Sequence, residues 1–147
     1  MRAKLGTNQF EKVFTREEAN ELLPRLELIL AGLQRLARVL REKLGELSAS
    51  DRSEGISETG LEQIIRERPE LRALTEQMAG FAKQIEELGC FLKDIELGLI
   101  DFPCEVAGEV VFLCWQSGEP QVSSWHAIDS GFANRRPLAG IVKSYLN

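Results

Sequence analysis

Histidine and tyrosine each occur once in these 147 residues, and methionine and tryptophan twice each. Chemistry that needs several imidazoles is excluded, and His126 is the one imidazole that can serve a proton-transfer or metal role. Cys90, Cys104 and Cys114 are an odd, widely spaced set, which does not suit a disulfide framework. The first residues, MRAKLGTNQFEKVFT, lack an apolar segment followed by a small-residue cleavage site. The longest apolar runs, LILAGL (28–33) and VVFLCW (110–115), fall far short of the roughly 18 residues that span a bilayer. A cytoplasmic chain of one domain, with no membrane partner, is expected. The 18 basic and 23 acidic residues leave a net charge of −5. No wide basic face is available to displace counterions, which argues against a nucleic-acid partner. G-x-S-x-G, H-E-x-x-H and phosphate-cradling glycine loops are absent too, and no cofactor is expected.

What is present divides the chain. Residues 1–100 are charged and periodic, whereas only three basic residues follow residue 100. Thr15-Arg16-Glu17-Glu18 forms a capping box, in which hydroxyl and carboxylate each satisfy a free helix amide. From there Ala19, Leu26, Leu33, Leu40 and Leu47 recur every seven residues, with Leu22, Leu23, Ile29, Leu30, Leu36, Ala37 and Leu44 between them. That stripe is wider than a two-stranded seam, so the helix should touch more than one neighbour. Pro24 lies inside it and should kink it. After a polar connection, SASDRSEGISETG (48–60), the sequence Thr59-Gly60-Leu61-Glu62 reads as a second capping box. Leu71, Leu74, Met78, Phe81, Ile85, Leu88, Leu92 and Ile95 then alternate by three and four, with Pro69 kinking or restarting the helix and Gly89 its natural cap. The remaining helix glutamates read as a solvated face. Two long helices joined by a short connection predict an antiparallel hairpin over residues 14–95.

A small antiparallel β-meander should follow over 96–138, with a C-terminal tail at 139–147. GLIDFP (98–103), EVVFLCW (109–115) and QVSSWHAI (121–128) are β-prone runs broken by Pro103, Gly108 and Ser117–Pro120. With Ser117–Pro120 as a hairpin loop, Trp115 faces Val122, Phe112 faces Trp125 and Val111 faces His126. The fold class is therefore α+β.

The candidate chemistry concentrates in LCWQSGEPQVSSWHAIDSGFANRRPL (113–138). His126 could act as base or ligand with Asp101, Asp129 or Glu119 as its carboxylate partner. The competing expectation is a packed, hydrogen-bonded structural ring. Three cysteines and one histidine match the ligand count of a Cys3His zinc site, but their gaps are unlike the close knuckles of such sites. No metal is expected, and His126 with Asp129 would be the residual candidates. Arg135 and Arg136 could clamp an anion, or merely neutralise nearby carboxylates. Trp115 and Trp125 could stack on a ligand, or fill the core.

FTREEANELLPRL, LGCFLKDIELGLIDFP and the segment 113–138 together resemble domain-of-unknown-function family 2203, a small bacterial and archaeal family sometimes loosely labelled division-initiation-like. The matching residues include Glu18, Ala19, Asn20, Leu22, Leu23 and Pro24, then Gly98, Leu99, Asp101, Phe102 and Pro103. In the last block they include Leu113, Cys114, Trp115, Gly118, Glu119, Trp125, His126, Gly131, Phe132 and Arg135. The resemblance implies a long helical pair followed by a compact sheet. It implies no activity, cofactor or substrate.

The function expected from these residues is a non-enzymatic module. It would form a homodimer of coiled-coil-like helices, and Arg135, Arg136, His126 and Asp129 would meet a protein partner or small anion. The alternative is a small metal-assisted or hydrolase-like enzyme with His126 as base or ligand.

Overall fold

The computed structural model describes residues 10–51 and 57–140. Helix α1 (Arg16–Asp51) opens on the capping box read from the sequence: Thr15 Oγ accepts the Glu18 amide at 3.1 Å and Glu18 Oε1 accepts the Thr15 amide at 2.9 Å. Pro24 sits within this helix without ending it. The second capping box is misplaced by two residues. Helix α2 (Glu58–Glu67) is capped by Ser57, whose hydroxyl accepts the Gly60 amide at 3.1 Å. Part of the connection, 52–56, lies outside the described residues.

Pro69 restarts the helix instead of bending it. It occupies the first position of α3 (Pro69–Glu87), where its missing N–H costs nothing, and Arg68 in extended conformation separates α2 from α3. Gly89 follows with φ +95°, the left-handed conformation that ends helices cheaply only at glycine. The helical part thus ends at Glu87, not near residue 95. Leu92 falls in β1 (Phe91–Asp94) and Ile95 in the turn after it. Their spacing imitated one more helical turn, and the backbone of Gly89 overrode it.

The other strands are β2 (Leu99–Val106), β3 (Glu109–Gln116), β4 (Ser124–His126) and β5 (Arg136–Pro137), and the sheet runs β1-β2-β3-β4-β5 with all pairs antiparallel. The α+β class and the meander are as expected. Pro103 does not break β2. Its carbonyl points away from β3 and accepts the Phe14 amide at 2.6 Å. In an antiparallel strand a residue's N–H points the same way as its carbonyl, so proline there removes no bond to β3.

The β3–β4 register differs by one residue from that expected: Phe112 faces His126, Leu113 faces Trp125 and Cys114 faces Ser124. The reason lies in α1. Asn20 Oδ1 accepts the Val122 amide at 2.7 Å and Arg16 Nε donates to the Val122 carbonyl at 2.8 Å. Val122 is thereby bonded to the helix, and the chain between β3 and β4 is longer than a tight hairpin. Because side chains alternate along a strand, the slip moves His126 from the helix-facing side to the outer face.

The core lies between α1, α3 and the inner face of the sheet, where Leu26, Leu30, Leu33 and Ile85 meet Ile100, Phe102, Val111, Leu113, Trp115 and Trp125. Beyond Leu36 the hairpin changes character. Leu40, Leu44 and Leu47 of α1 are only half-buried, as are Leu61, Ile64 and Ile65 of α2, which contains no buried residue. Among the described residues no helix is long and apolar enough to cross a membrane.

Candidate functional site

Three neighbouring strands place three chemically active side chains together on the outer face. Asp101 of β2 faces Cys114 of β3, and Cys114 faces Ser124 of β4, two residues before His126. Adjacent strands lie about 4.8 Å apart, so the His126 ring reaches across β3 to meet Asp101. His126 Nε2 lies 2.9 Å from Asp101 Oδ2, and Nδ1 lies 2.8 Å from the Ala127 carbonyl. Ligand atoms of Asp101, Cys114 and His126 all fall within 4.8 Å of one another. Asp101 is 2% exposed, His126 3% and Cys114 1%. The Phe112 ring lies 5.6 Å from the His126 ring, tilted by 59°, and is itself met edge-on by Phe10.

The hydrogen bonds constrain the protonation of this cluster. A carbonyl can only accept, so Nδ1 carries a proton. One further proton lies between Nε2 and Oδ2. Burial pushes the His126 pKa down, but hydrogen bonds to Asp101, Cys114 and the Ala127 carbonyl, with the Asp101 charge, raise it to about 10. The ring is therefore held as an imidazolium against a carboxylate, and neither nitrogen is left to accept a proton from another molecule. It does not form the relay of a cysteine nucleophile either. Such a relay needs one nitrogen on the thiol and the other on the carboxylate, whereas Nδ1 here is bound to backbone.

Of the three carboxylates considered as partners, only Asp101 meets His126. Asp129 is exposed. Glu119 instead holds the C-terminal end of β3: Oε1 accepts the Gln116 amide at 2.7 Å, and both oxygens accept from Arg135 Nη1, at 3.1 and 3.3 Å. Arg135 also lies over the Phe132 ring at 4.5 Å. Arg136 is exposed on β5, its guanidinium 6.0 Å from the Trp125 ring. Trp115 is fully buried on the helix side, and its Nε1 donates to the Glu119 carbonyl at 3.0 Å. Trp125, opposite Leu113, is buried in the same core. Cys90 donates to the Ile85 carbonyl at 3.5 Å, and Cys104 faces Val111 on the inner side, so neither joins Cys114.

Two groups escaped the sequence reading. No local spacing links Cys114 to its partners, which are twelve and thirteen residues distant in the sequence. Glu27 was counted in the solvated face, yet it accepts from the Ser117 hydroxyl at 2.6 Å and the Gly118 amide at 2.8 Å. Asn20, Glu27, Gln34 and Arg41 recur every seven residues beside the apolar heptad. Asn20 binds Val122, Glu27 the turn after β3, and Gln34 and Arg41 the turn after β1, through the Ile95 and Glu96 carbonyls and the Glu96 side chain. That polar heptad was a readable signal.

No curated protein and no solved structure matches the chain. A family model does, across residues 12–138, which covers both the helices and the Asp101–Cys114–His126 cluster. The chain belongs to the uncharacterised conserved protein family DUF2203.

Proposed function

We propose that this chain is a non-enzymatic module that self-associates through its helical hairpin and offers its sheet end to a partner or small anion. The observation that carries the reading is the outer half of the hairpin, where Leu40, Leu44, Leu47, Leu61, Ile64 and Ile65 remain half-exposed although α2 is amphipathic. Two helical layers cannot cover stripes of this width by themselves. A second copy is the occupant favoured by charge. Between residues 35 and 47, α1 carries Arg35, Arg38, Arg41 and Lys43 against Glu42 and Glu46. Between 58 and 76, α2 and early α3 carry Glu58, Glu62, Glu67, Glu70 and Glu76 against Arg66, Arg68 and Arg72. The two stretches thus have opposite excess charge, although Arg41 already pairs with Glu96 and Lys43 with Glu70 within one chain. A twofold axis sets α1 of each copy against α2 and α3 of the other, uniting opposite charges around the apolar seam. At the sheet end the anion-binding half of the proposal rests on Arg136, since Arg135 is held by Glu119.

An enzyme with His126 as base draws support from the Asp101 pairing, but a base requires a ring nitrogen that faces substrate. Both nitrogens are engaged, which keeps this reading second.

Light scattering on the full chain, coupled to size exclusion, tests the proposal. A dimer is expected at micromolar concentration, with Leu44→Lys and Ile64→Lys shifting it to monomer while the helical circular dichroism persists. A strict monomer at high micromolar concentration would remove the reading.

A further inference from the structure

We propose that Asp101, Cys114 and His126 form a binding site for one thiophilic divalent cation of the zinc class, held by a carboxylate oxygen, Sγ and Nε2. Four properties of the cluster support the assignment.

The first is orientation. A metal-ligating histidine almost always donates its other ring N–H to a carboxylate or backbone carbonyl, which fixes the tautomer and aims the lone pair. His126 has this arrangement, with Nδ1 donating to the Ala127 carbonyl at 2.8 Å and Nε2 aimed at the other two ligands.

Spacing is the second. Zinc bonds of about 2.0–2.1 Å to nitrogen or oxygen and about 2.3 Å to sulfur imply tetrahedral ligands roughly 3.3–3.6 Å apart. The three ligand atoms lie within 4.8 Å of one another, so the widest pair must close by up to about 1 Å on binding. The Nε2–Oδ2 separation of 2.9 Å is a proton-bridged distance, and it must open by a few tenths of an ångström to admit the cation.

The third is charge. With a proton bridging His126 and Asp101 and a free thiol on Cys114, the buried cluster is neutral. A dication bound to carboxylate, thiolate and neutral imidazole is neutral as well. Exchanging two protons for one dication therefore leaves no net charge in a site with little access to water, where an uncompensated charge is costly.

Ligand chemistry is the fourth. A thiolate, an imidazole and a carboxylate form a mixed S, N, O set that suits zinc and disfavours the all-oxygen shells of magnesium and calcium. Three protein ligands leave the fourth tetrahedral position to water or another small ligand.

The test uses the full chain after chelation and dialysis, with Co²⁺ and Zn²⁺ as probes. Co²⁺ should give a thiolate-to-metal charge-transfer band and tetrahedral d–d absorption at one equivalent, both bleached by Zn²⁺. Calorimetric titration with Zn²⁺ in buffers of different ionisation heat should show release of about two protons per cation near neutral pH. Cys114→Ser should abolish the charge-transfer band, and Cys104→Ser should leave it intact. Asp101→Asn, nearly isosteric, should weaken Zn²⁺ at least about 100-fold, beyond the range typical of an outer-shell partner. Folding of each variant is checked by circular dichroism, and Cys104→Ser shows whether thiol loss alone perturbs the chain. A charge-transfer band that survives in Cys114→Ser, or wild-type protein that binds no stoichiometric Co²⁺ or Zn²⁺, overturns the assignment.

Discussion

Nε2 of His126 and Oδ2 of Asp101 share one proton across 2.9 Å, with the Phe112 ring 5.6 Å from the imidazole. The histidine belongs to β4 and the aspartate to β2, so this bond ties together two strands that are not neighbours in the sheet.

In metal-free protein the pair makes stability depend on pH. The folded His126 pKa, about 10, stands above the ordinary value of 6.5. The folded state therefore holds a proton that the unfolded chain releases. The stabilisation is fully present below about pH 6.5 and declines as pH rises towards 10. Urea midpoints should fall from pH 6 to pH 9.5, and His126→Gln should flatten that slope. The single imidazole resonance should not titrate between pH 5 and 8.

Asp101→Ala strands a buried imidazolium or forces it to deprotonate. Loss of one partner of a buried pair costs about 3–5 kcal/mol. Asp101→Asn keeps the volume and a carbonyl acceptor, so it should cost less. Equilibrium denaturation of metal-free protein at pH 7 orders the two.

Glu27 accepts two hydrogen bonds from the turn after β3. Bonds to a charged group contribute about 1.5–3 kcal/mol each, partly offset here by solvent. Glu27→Ala should therefore destabilise by roughly 2 kcal/mol and speed amide exchange at Gly118. Glu27→Gln retains one acceptor oxygen and should fall between the two. An unchanged exchange rate in Glu27→Ala would show that helix α1 does not hold this turn.

Gly98 adopts φ +68°, and a Cβ there would lie 2.6 Å from Ser117 Cβ. Gly98→Ala should cost about 1–3 kcal/mol for the backbone conformation, and more for the clash. The companion variant Ser117→Gly removes the clashing Cβ but also the hydroxyl bond to Glu27, so, compared with Ser117→Gly alone, Gly98→Ala in that background should cost only the conformational part.

Burial pushes the Cys90 thiol up to about 12, and the Cys104 thiol upward as well. Cys90 and Cys114 are also closed to solvent. In native protein at pH 8, iodoacetamide should modify Cys104 slowly and the other two only on unfolding. Mass spectrometry of the peptides reads this directly.

The sequence by itself determined the elements whose signals are local. Thr15 and Glu18 mark the start of α1 because both halves of the cap lie within one turn. Proline in front of a helical stripe marks α3, and the aromatic, β-branched run at 109–115 marks β3. Local spacing also misled: Leu92 and Ile95 continue a helical rhythm that the backbone of Gly89 ends. The tertiary structure decided the rest. It set the register of β4, because the first turns of α1 bind the backbone of Val122 across about a hundred residues of chain. That one-residue choice placed His126 on the outer face with Asp101 and Cys114. The cluster exists only once three strands are aligned, and no spacing within a single strand could encode it.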